Sequence, residues 1–86
     1  MTNLEATWHY RRDIASAILA YDRARRKALR EFAGNSDAIQ GAFCNAWGTC
    51  RVLFAMADIM LAKRRAMCNA SIALVNSQLT EEIRYG

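Results

Sequence analysis

One stretch, Gly34-Asn35-Ser36-Asp37, constrains this 86-residue chain more than any other, because little else in it can stop a helix. The chain has no proline and four glycines. Gly34 can adopt the left-handed conformation that closes a helix, and Asn35 or Ser36 can cap the next one, with Asp37 in its first turn. Upstream, Thr2 and Glu5 have the reciprocal spacing of a capping box. These signals predict a first helix over about residues 3–33 and a second starting near 37.

The first segment carries apolar residues at alternating spacings of four and three: Tyr10, Ile14, Ala17, Tyr21, Ala24 and Ala28, widened by Ile18, Leu29 and Phe32. Such a face is buried against a neighbouring helix, and its small alanines let the neighbour come close. The opposite face holds Glu5, Arg12, Ser16, Arg23, Arg26, Lys27 and Arg30. The second segment has a core face of Ile39, Phe43, Ala46, Cys50, Leu53, Ala57, Met60 and Met67. Val52, Met56 and Ile59 form a second apolar row, and its polar stripe is only Arg51, Asp58 and Arg65. A helix apolar on two sides is packed by two neighbours or by a partner chain. Gly41 and Gly48 each cost a helix interior roughly 1 kcal/mol against alanine, which points to close packing there.

The last third leaves two architectures open. Lys63-Arg64-Arg65 suits a helix C-terminus, after which Asn69 or Ser71 could cap a third helix over about 69–83 carrying Ile72, Val75, Leu79 and Ile83. Yet no glycine or proline separates the segments, and Cys68, Ile72, Val75 and Leu79 continue the phase of the core face. A straight helix from 37 to about 82 would outrun the first by roughly 22 Å at 1.5 Å per residue, and would expose apolar side chains unless a second copy covered them. The fold expected is therefore all-α: a single helical domain over 1–86, a long antiparallel hairpin with a third C-terminal helical segment. It would be either a three-helix bundle, with helix 2 over about 37–67, or a hairpin that forms a homodimer.

Charge narrows the choice of partner. The net charge is +4, from two patches. Residues 1–33 hold seven bases and four acids, and residues 63–65 add three more bases. A basic excess of this kind favours an acidic partner, whether an acidic protein face, nucleic acid or an anionic membrane, and the acidic protein face is preferred, with nucleic acid as the alternative. The most apolar stretch, from Ala42 to Ala62, contains Arg51 and Asp58, so no membrane span is expected, nor is a secretory signal, and a cytoplasmic location follows. The three cysteines, Cys44, Cys50 and Cys68, are read as reduced thiols packing as small apolar groups.

Catalytic chemistry is not expected. The one histidine, His9, would need to meet a cysteine to form a nucleophile pair, and Cys68, the nearest in an antiparallel hairpin, lies roughly two turns away. Cys44 and Cys50 are six residues apart, which puts them on different helix faces and off the spacing of zinc ligands. No glycine-rich phosphate loop is present, and neither cofactor, metal nor small-molecule substrate is anticipated.

Partner binding is the better use of these residues. Trp8, Ala15 and Leu19 form a narrow apolar line bordered by Arg12, Arg23 and Arg26, the residue types that dominate binding hot spots. The partner-binding set expected is Trp8, Arg12, Leu19, Arg23, Arg26, Lys27, Arg30, Lys63, Arg64 and Arg65. Asp22 and Arg25, near the edge of the apolar face, could pair with each other or across a dimer seam. The function expected is a small non-enzymatic interaction protein binding a macromolecule stoichiometrically, as an inhibitor or adaptor. Small phage-encoded inhibitors of host machinery, anti-CRISPR proteins among them, are of this type, although no motif here is specific to one family. The alternative is a nucleic-acid-binding accessory protein using the arginine face of helix 1.

Overall fold

The computed structural model describes the backbone of residues 1–85 and the side chains of residues 1–79. Two helices form it: α1 (Asn3–Glu31) and α2 (Ser36–Tyr85). They lie antiparallel in a hairpin 77 Å long and 15 by 9 Å across. No helix among the described residues is long and apolar enough to cross a membrane.

Local chemistry sets the helix ends. Thr2 holds an extended conformation and its Oγ1 accepts the Glu5 backbone N–H at 3.1 Å, so α1 starts as the capping spacing predicts. α1 stops at Glu31. The Phe32 N–H donates to the Ala28 carbonyl at 2.9 Å, the Asn35 N–H donates to the Phe32 carbonyl at 2.8 Å, and Gly34 takes φ +81° to reverse the chain. Asn35 caps α2, its Oδ1 accepting the Ala38 N–H at 3.1 Å.

α2 passes through residues 63–72 without a break, so the third helix is replaced by a single 50-residue helix. Neither Asn69 nor Ser71 ends it: with no glycine or proline in the segment, each added residue keeps its helical hydrogen bond. Lys63-Arg64-Arg65 is therefore mid-helix rather than terminal. Ile83, expected in the third helix, lies beyond the described side chains.

The seam between the helices is built from small residues. Among the described residues, those buried are Ala6, Ala17, Ala28, Cys50, Ala57 and Cys68. On α1 they recur every eleven residues, which is close to three whole turns, so the same side faces α2 along a nearly straight rod. The approach is close enough for Cys50 Sγ to reach the Ala17 carbonyl at 3.7 Å and for Cys68 Sγ to donate to the Met1 carbonyl at 2.9 Å. The expected core was wider. Tyr10, Ile14, Tyr21, Ile39, Phe43 and Ala46 are half-buried at the edges of the seam, while Leu53, Met60 and Met67 are exposed. With one neighbour instead of two, α2 has nothing to cover that flank.

Gly41 and Gly48 also differ from expectation. A Cβ added at either meets open space, because both sit on the side of α2 turned away from α1. Gly41→Ala and Gly48→Ala are each expected to stabilise the hairpin by about 1 kcal/mol, raising Tm by roughly 4–8 °C in thermal unfolding followed by circular dichroism. No gain at either position would contradict an uncovered back to α2.

Polar contacts pin the hairpin register. The Tyr10 hydroxyl donates to Asp58 Oδ1 at 2.9 Å. That bond, with some desolvation and the Asp58 charge, raises the Tyr10 pKa above its ordinary 10.0. The folded state thus holds this proton more tightly than the unfolded chain. The stabilisation is complete below pH 10 and is lost as pH rises through the folded pKa. Urea melts between pH 8 and 11 are expected to show stability falling above pH 10, with a shallower fall in Tyr10→Phe; equal slopes would show the contact to be inert.

Candidate protein-binding groove

One face of the hairpin is grooved between residues 13–32, on the α1 side, and 42–60 of α2. Two cavities, of about 370 and 330 Å³, meet there and share Ala17 and Leu53. Their floor is small on the α1 side, with Ala17, Ala20 and Ala24, and larger on the α2 side, with Leu53, Met56 and Met60. The shape follows from the seam. Alanines draw the two backbones together, while Leu53, Met56 and Met60 stand up along one side, 37 %, 55 % and 39 % exposed. Val52 and Ile59, also exposed, continue the apolar surface round the outside of α2.

The α1 edge of this groove carries mixed charge: Lys27 and Glu31 line one cavity and Asp13 the other, and arginines stand farther round the helix. Counting 100° per residue from Ala17, which faces α2, Arg12, Arg23, Lys27 and Arg30 fall about 80–140° to the groove side. Lys27 lines the first cavity and lies 3.7 Å from Glu31. Arg12 lies 3.6 Å from Asp13 and 5.3 Å from the centre of the Trp8 ring. Arg23 and Arg30 make no ion pair among the described residues and project into solvent. Of the ten expected partner-binding residues, Lys27 lines the groove, Arg23 stands farther out on the same side, and Arg12 and Arg30 lie close to the back of α1.

The others divide. Trp8, Leu19 and Arg26 lie on the back of α1, about 180–200° from Ala17. Trp8 and Leu19 are both more than half exposed, and Arg26 pairs with Asp22 at 3.1 Å. Arg64 turns inward: its Nη1 donates to Asp13 Oδ2 across the hairpin at 3.5 Å, and its side chain is only 16 % exposed. It acts as a strut rather than as a surface charge. Lys63 and Arg65 stay exposed on either side of it. Arg25 and Asp22 do not pair with each other. Arg25 lies over the Tyr21 and Phe43 rings at 5.5 and 4.9 Å.

The groove's apolar side was visible in the sequence only in part. Val52, Met56 and Ile59 stand out there as a row, but a third helix was a sufficient reason for it. The signal that could have separated these readings is the unbroken run through residues 63–72.

Other chemistry is sparse. Among the described residues no three His, Cys, Asp or Glu side chains converge. Cys50 and Cys68 are committed to backbone carbonyls, and Cys44 is exposed. His9 Nδ1 is buried without a hydrogen-bond partner, its ring against the edge of Trp8 at 5.1 Å. No family model, curated protein or solved structure matches the chain.

Proposed function

We propose that this is a non-enzymatic interaction protein that acts by stoichiometric binding, holding an amphipathic, acidic-edged helix of a partner protein in the groove between α1 and α2. One observation carries the reading: among the described residues, all six buried ones are alanine or cysteine, while eighteen large apolar side chains remain exposed. A chain that leaves so much apolar surface uncovered is completed by another macromolecule. The apolar groove suits a helix with apolar residues on one face, and the arginines farther round α1 favour carboxylates along that helix's outer edge. An inhibitor or adaptor works in this way, by occupying a surface.

The test is capture from a lysate of the source organism with wild type and with Met56→Glu, followed by measured affinity for each recovered protein. A partner lost with Met56→Glu and retained by Trp8→Ala supports groove binding. A partner lost with Trp8→Ala or Leu19→Ala alone moves the contact to the back of α1. Affinity for duplex DNA or RNA that falls steeply with salt, with a slope reduced by Arg23→Ala and Arg30→Ala, would replace a protein partner with nucleic acid.

A further inference from the structure

The inner stripe of α2 does not end where α1 ends. Met1 sits against Cys68, and beyond that level α2 continues alone to Tyr85, an overhang of roughly 25 Å at 1.5 Å per residue. Counting 100° per residue from the buried Ala57, Cys50, Cys68 and Val75 all lie within about 20°, and Ile72 and Leu79 within about 60°. The stripe therefore runs from the seam into the overhang without changing direction. Its composition does change. Under α1 it is Cys50, Ala57 and Cys68; past α1 it is Ile72, Val75 and Leu79, each about half exposed at 53 %, 52 % and 51 %. No Asp, Glu, Lys or Arg occurs from Ala66 through Thr80.

We infer that this overhang is a self-association site, and that its occupant is the overhang of a second copy, running antiparallel about a two-fold axis near residue 77. Two observations select a second copy. The stripe is continuous with the hairpin's own helix–helix interface, so a helix lying on it extends packing that already exists. It is self-complementary: a two-fold near residue 77 sets Val75 of each chain opposite Leu79 of the other, as an isologous interface requires. Ile72, Val75 and Leu79 need a helix at ordinary packing distance, in contrast to the close alanine seam upstream. No charge lies from Ala66 through Thr80, and Glu81, Glu82 and Arg84 fall in the outer part of the overlap, position 82 level with Ile72 of the other copy. The product is one continuous two-helix rod.

This site does not depend on the groove, and the two separate experimentally. Sedimentation velocity and small-angle scattering on the full chain are expected to show a dimer with a maximum dimension of about 130 Å, two 77 Å rods overlapping by their overhangs. Val75→Glu with Leu79→Glu is expected to raise the dimer dissociation constant at least ~100-fold with helical circular dichroism retained, since both positions lie outside the seam. Val75→Lys alone is expected to act in the same direction, and Met56→Glu, in the groove, to leave the dimer unchanged. A chain that stays monomeric at about 1 mM would overturn the inference. So would a dimer no longer than about 80 Å, which would mean side-by-side packing, or a double variant that dimerises like wild type.

Discussion

Ala17→Leu is expected to destabilise the hairpin by about 3 kcal/mol and to lower Tm by roughly 12–24 °C. Ala17 is 2 % exposed, and its own carbonyl lies 3.7 Å from Cys50 Sγ on the facing helix. Three extra carbons there must part the helices or turn up into the groove that Ala17 floors, and the near-complete burial of Ala17 favours parting. Parting them would also stretch the Cys50 contact and draw Arg64 from Asp13 and Tyr10 from Asp58, because those polar contacts span the same seam. The control is Ala20→Leu, three residues along on the exposed groove wall, where a larger side chain has room and stability is expected to change by less than about 0.5 kcal/mol. Urea melts of the two variants decide the matter. Equal losses would mean that the helices are not held at alanine distance.

That prediction also marks what could be read from the sequence. The ends of α1 and the start of α2 were legible, because capping is chemistry among neighbours: Thr2 reaches Glu5, and Asn35 reaches Ala38. Antiparallel pairing was legible too, since a helix with an apolar face must turn at Gly34 to bury it. The width of the core was not. Periodicity identifies which residues share a face but not how many neighbours that face has, so Leu53, Met60 and Met67 were assigned to a core that one neighbour cannot build. Lys63-Arg64-Arg65 misled for a related reason. Three bases in a row resemble a helix end, whereas Arg64 is held by Asp13, 51 residues away, a contact that no local pattern encodes. Gly41 and Gly48 carry the same ambiguity: glycine in a helix signals either close approach or the absence of selection against its cost, and open space at both positions supports the second.

Met56→Glu is expected to weaken binding of the partner helix at least ~100-fold, about 3 kcal/mol, while leaving the hairpin's Tm within about 2 °C of wild type. Met56 is 55 % exposed on the groove wall, so a carboxylate there is solvated in the free protein and costs the fold little. On binding, the same carboxylate would be buried against an apolar face without a partner, which carries the full desolvation penalty. The arginines outside the groove would make a second, distinguishable contribution to the proposed binding. Arg23 and Arg30 stay solvent-exposed, and charges of that kind act mainly on association rate. Arg23→Glu is therefore expected to slow association roughly tenfold at low salt and by much less at 0.5 M, with dissociation little changed. Met56→Glu should instead act on dissociation at any salt. If both substitutions shift the same rate constant with the same salt dependence, the apolar wall and these arginines do not act on one ligand, and a helix lying in the groove with its acidic edge toward α1 is wrong.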